Sequence, residues 1–253
     1  MKTIVPYVIA VVCLCAYPIS LRAEMPATSQ QHLNESFQRI DELARIRRAS
    51  GSLPRSSNAE DSRALEAFWD KDAILGNGPY RSADIPALLD ILQKESAVFK
   101  TYLLFSPDQS KLPQTDENTA VFQDELSRSL AFTLGVSAAA LDALTDFVAQ
   151  MRPGEFNDTR KQGLQQTRLG IQQFVDGAVL MIRSPALRSE NRSILANALQ
   201  KNAATLAATM PAAERQALAA MAMTVTAPET REALGAFVAA MQTKDCTGLC
   251  AIE

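Results

Sequence analysis

"GLQQTRLGIQQFVDGAVLMI", residues 163–182, places glycine at 163, 170 and 177, three of the ten in the chain, at steps of seven. Between them Ile171, Phe174, Ala178 and Met181 follow the three-and-four spacing of a helix with one apolar face. At about 100° per residue a step of seven falls about 20° short of two turns. Gly163, Gly170 and Gly177 therefore line one edge of that helix, with Phe174 and Met181 near the same direction and Gln165, Gln172 and Asp176 opposite. Glycine in a helix interior costs roughly 1 kcal/mol relative to alanine, so three of them need an offset. One offset is close approach of a second helix, where a missing methyl permits contacts that alanine would block. The other is a groove for a ligand chain or a partner helix, lined by Phe174 and Met181.

Outward from this stretch the helical spacing recurs, and no run alternates as a strand would. An all-α protein of about eight or nine helices follows, arranged as a multi-helix bundle or an irregular helical array. Toward the N-terminus, helices are predicted over about 138–151, capped by Ser137, about 116–134, ended by Gly135, about 84–106, about 59–75 and about 29–49. The glycine helix itself is predicted over about 158–183 with Asn157 or Asp158 as cap, followed by about 187–208, 211–225 and 228–243. Pro211 and Pro228 suit the first helical position of the last two. Six of the aromatic residues fall between 68 and 105, whereas 186–242 holds only Phe237 among some 18 alanines. A thick aromatic front and a thin, closely packed back are expected, with subdomains over 29–152 and 157–245.

The first 23 residues read as a secretory signal peptide: Lys2, an apolar run from Ile4 to Tyr17, Pro18, and a small Ala23 before the expected cleavage. The run is shorter than the roughly 20 residues that cross a bilayer. Val12 and Leu14 stand where a lipoprotein would need a small residue before Cys13 or Cys15. Cleavage would leave residues 24–253 as one helical domain and remove Lys2 and Arg22 but no acid, so 23 basic face 28 acidic side chains, net −5. Charges of both signs are interspersed, which gives nucleic acid or an anionic membrane no electrostatic hold. No further apolar stretch is expected to span a membrane, and the Ala-rich, cysteine-poor composition points to a bacterial periplasm or secretion. Cys246 and Cys250 in "KDCTGLCAIE" are an even pair expected to form a local disulfide, with Gly248 supplying the turn. Redox and metal roles are the alternatives, and His32 is the only histidine.

For catalysis the residues offer little. His32 lies on the polar side of the first helix and is expected to be exposed; no G-x-S-x-G elbow, phosphate loop or dinucleotide turn occurs, so no cofactor is expected. Asp70, Asp72, Asp116, Glu117, Asp124 and Glu125 are available to a carboxylate-dependent envelope glycan hydrolase, but their spacing is also that of helix surfaces and first turns. "FWDKDAILGNGPYRS" is the most suggestive surface: the only Trp, then a glycine-proline loop with Tyr80 and Arg81. Trp69, Tyr80 and Arg81 are of the types enriched at binding hot spots. The plainer alternative buries Phe68 and Trp69 and uses Tyr80 to anchor the loop. The sequence thus points to a non-catalytic module for a protein, peptide or apolar ligand of the envelope. The alternatives are the hydrolase and a structural component whose back half assembles as a homo-oligomer.

Overall fold

The computed structural model describes residues 25–108, 110–152, 154–242 and 248–252; residues 1–23, expected to be a signal peptide, and Cys246 lie outside the described residues. Capping and turn residues divide these into ten α-helical segments, with no strand among the described residues: α1 (Ala27–Arg48), α2 (Ala59–Phe68), α3 (Lys71–Leu75), α4 (Ile85–Leu103), α5 (Thr115–Val121), α6 (Gln123–Gln150), α7 (Asp158–Arg183), α8 (Ser189–Thr209), α9 (Ala212–Met223) and α10 (Arg231–Met241). The protein is all-α, as its periodicity predicts. α3 is little more than one turn and α5 abuts α6, so the count agrees with eight or nine full helices.

Helix α7 begins and ends where its sequence places it, because Asn157 accepts from the Arg160 amide and so satisfies a first-turn N–H. The predicted stop at Gly135 does not occur. Helix α6 runs on through Gly135 and Ser137, and the break falls instead at Phe122, between α5 and α6. Gly135 has no positive φ, and a Cβ built on it would lie 3.5 Å from the Lys71 side chain, so the glycine sits under a lysine and not at a helix end.

That continuity organises the molecule. From Leu130, the residues Leu134, Leu141 and Leu144 fall within about 40° of one direction, whereas Phe132, Val136, Ala139 and Ala143 fall on roughly the opposite side. The first set joins a back core built by α7, α8, α9, α10 and the C-terminal segment. The second joins a front core built by α1, α2, α3 and α4. The two cores therefore meet on α6 itself, not in the 152–157 connection. Helix α6 is also long and apolar enough to cross a membrane, contrary to the expectation that no further stretch is. Here both of its faces are covered by protein.

The 49–58 loop is pinned to the front core by buried polar groups. Asp61 accepts from Arg47 Nη2 at 2.8 Å and from the Arg55 amide at 3.0 Å. Glu125 of α6 accepts from the Ser56 amide at 2.6 Å, and Tyr102 of α4 donates to the Pro54 carbonyl at 2.9 Å. Each bond satisfies a buried group that would otherwise cost about 1–3 kcal/mol. In the back half, Arg168 of α7 donates to the carbonyls of Leu249 and Ile252 at 2.9 and 3.1 Å and so docks the C-terminal segment.

Candidate functional site

Residues 69–81 form an exposed loop on a rigid mount. Trp69 ends α2 half-buried against the front core. Asp70 caps α3 by accepting from the Ala73 amide at 3.0 Å, and Ile74 and Leu75 are buried beneath. Gly76 then turns the chain at φ +65°, where a side chain would be strained. Tyr80 folds back to donate to the Gly76 carbonyl at 3.3 Å, its ring so close to Gly78 that a Cβ there would meet it at 3.2 Å. Arg81 pairs with Asp146 of α6 at 3.2 Å, and the Ser82 amide donates to the same carboxylate at 2.9 Å. What stays exposed is Asp70 and Asp72 around the start of α3, then Asn77, Gly78, Pro79 and Arg81. Of the two roles the sequence offers Trp69 and Tyr80, binding and anchoring, the packing shows anchoring of the loop.

One flank of the loop carries charged residues that the sequence does not single out. The Lys71 side chain lies over Gly135, and its pKa is lowered, chiefly by burial and then by Lys201 of α8. Burial also raises the pKa of Tyr80 and of Asp142, the latter opposed by a hydrogen bond from Thr205; Asp142 keeps its contact with water, which limits the effect. Lys201 and Thr205 are one turn apart on α8, and Gly135 and Asp142 two turns apart on α6. Such spacings are visible in sequence, but which helices face each other is not.

The other end of the loop reaches a fully buried acid of the front core. Glu95 of α4 has no exposure; Ser129 of α6 donates to its Oε1, while Oε2 has no partner. The Trp69 indole N–H faces this carboxyl closely enough to influence it but falls short of hydrogen-bond geometry. Burial holds the Glu95 pKa at about 8 against an ordinary 4.5, opposed by Ser129 and Trp69. A signal for it exists in the sequence: Glu95 stands in the middle of the stripe Leu88, Ile91, Val98, Tyr102, where surface acids do not belong.

The glycine edge of α7 is not covered by close helix packing along its whole length. Gly163 is buried and Gly170 half-buried, but a Cβ on Gly177 would meet nothing within 4 Å, so no helix approaches closely there. Phe174 and Met181 are half-buried against the back core, and Met181 also packs on the front core, with Ile85 and Phe99. A cleft between α1 and α4, lined by Phe37, Ile40, Ala44, Val98 and Thr101, offers about 60 Å³, against the roughly 300 Å³ and more of small-molecule sites. His32 is not fully exposed as its helical position predicts: it is half-buried, with Nε2 3.1 Å from the Ala67 carbonyl of α2.

The acids available to a hydrolase have local duties. Asp70 caps α3; Asp72, Asp116 and Glu117 lie in first turns; Asp124 takes Arg188 and Asn191; Glu125 holds the 49–58 loop. Comparison with protein families, with characterised proteins and with solved structures finds no match to the chain.

Proposed function

We propose that the chain is an exported, non-catalytic binding module of the cell envelope, periplasmic or secreted, that receives a protein or peptide on the face built by residues 69–81. The observation that carries this reading is the contrast within that segment: an exposed tip at Asn77–Pro79 held by a cap, a tyrosine tether and an ion pair. A loop fixed before binding has less conformational entropy to lose when a partner arrives. Lys71, Lys201 and Asp142 give the adjoining rim charges of both signs, which suits a polar partner surface. Export rests on the N-terminal pattern with cleavage after Ala23, and a Cys246–Cys250 disulfide accords with that compartment.

Trp69→Ala and Tyr80→Ala are poor tests, because both loosen the mount. The test is a photo-crosslinking residue at Asn77, compared in intact cells with one at the exposed Gln166 of α7. The expected result is a discrete adduct from position 77 that is lacking at position 166. Equal adducts at both positions, or none at 77, would remove this face from consideration.

A further inference from the structure

Glu95 has a geometry that the binding face does not require. The neutral acid fits its pocket: one oxygen accepts from Ser129, and the surrounding stripe of α4 is apolar. A carboxylate there would keep only the Ser129 hydroxyl and the nearby indole N–H, with no opposing charge acting on it among the described residues. Among the described residues, no titratable group of the neighbouring elements forms an ion pair with it. From α1, His32 contacts Ala67; Glu66 of α2 pairs with Arg128 of α6; on α4, Lys94 pairs with Asp90 and Tyr102 is tied to Pro54. From α3, Lys71 lies over Gly135, and from α6, Glu125 is tied to Arg55 and Ser56.

An isolated buried charge must be hydrated or neutralised. The indole N–H beside this carboxyl is buried and belongs to Trp69, which is half-buried and followed directly by the exposed Asp70. We propose that Glu95 is a proton-operated lock on the α2–α3 elbow: as the neutral acid it lets Trp69 seal the front core, and as the carboxylate it admits water past Trp69 and frees residues 69–81. The consequence for binding rests on 69–81 being the binding face, whereas the lock does not.

Trp69 is the only tryptophan, so its fluorescence reads the elbow directly. Emission and acrylamide quenching are followed from about pH 5.5 to about pH 9.5, with far-UV circular dichroism as a monitor of the fold. The expected result is a red shift and greater quenching with a midpoint near 8 while the helical signal is unchanged. Glu95→Gln should abolish the transition and keep the low-pH emission throughout. Ser129→Ala should move the midpoint upward, because the hydrogen bond it removes favours the charged form, and this variant decides the matter if Glu95→Gln does not fold. His32→Gln should leave the transition in place. Flat wild-type emission, a transition that survives Glu95→Gln or vanishes with His32→Gln, or an unmoved midpoint in Ser129→Ala would overturn the lock. Flat emission together with crosslinking at Asn77 removes the lock and keeps the binding face; a titrating Trp69 without an adduct does the reverse.

Discussion

Replacing Glu95 by glutamine should make the protein more stable at neutral pH, although it deletes a buried, hydrogen-bonded group. The carboxyl has an ordinary pKa of 4.5 and a folded value of about 8. A group whose pKa is raised on folding holds a proton that the unfolded chain gives up. Its contribution is therefore fully present below 4.5 and falls as pH rises toward about 8. At about 1.4 kcal/mol per pH unit, the fall is about 3 kcal/mol by pH 7 and on the order of 5 kcal/mol above pH 8. That is a large share of the 5–15 kcal/mol typical of a folded domain. Glutamine has the shape of the neutral acid and does not titrate. Urea denaturation midpoints of wild type and Glu95→Gln, taken at about pH 5, 7 and 9 in one ionic strength, isolate the effect because every other titrating group is common to both. The two proteins should match near pH 5 and separate as pH rises, with the variant the more stable. Parallel profiles, or a variant weaker at every pH, would mean that folding does not raise the Glu95 pKa.

Three further outcomes follow from the packing. Gly177→Ala should stabilise by about 1 kcal/mol, since a methyl there meets nothing; loss of stability in thermal melts would reveal a close neighbour after all. Leu134→Ala, in the back core, should cost about 2–5 kcal/mol and lower the unfolding midpoint reported by Trp69 in the front core, because α6 serves both. A Trp69 transition that does not move would mean that the halves unfold independently. Tyr102→Phe should cost about 1–3 kcal/mol by leaving the buried Pro54 carbonyl without its donor, and hydrogen exchange should quicken in the 49–58 loop.

Local chemistry was legible where it acts alone. Asn157 caps α7, Pro228 opens the short turn before α10, and the three-and-four spacing marks every long helix. It failed where tertiary burial outweighs it. Gly135 followed by Ser137 has the form of a stop and a cap, yet a helix buried on two faces bears one glycine at a cost of about 1 kcal/mol. The glycine edge of α7 is legible as an edge, but whether anything approaches it depends on which helices face each other. Trp69 and Tyr80 are conspicuous by type, and the sequence already offers anchoring as their plainer role; that Tyr80 bonds to the Gly76 carbonyl needs the folded loop. Glu95 lies within an apolar stripe and not in a surface cluster of acids, so its burial becomes plain only when α4 is packed against α6.

The most direct measurement is the carboxyl carbon shift of Glu95 followed by NMR against pH in protein labelled at that residue. An inflection near 8, moved upward by Ser129→Ala, is expected. An inflection near the ordinary 4.5 would contradict that expectation, since the carboxyl would then be charged in the folded protein at neutral pH and the front core would need no proton to close.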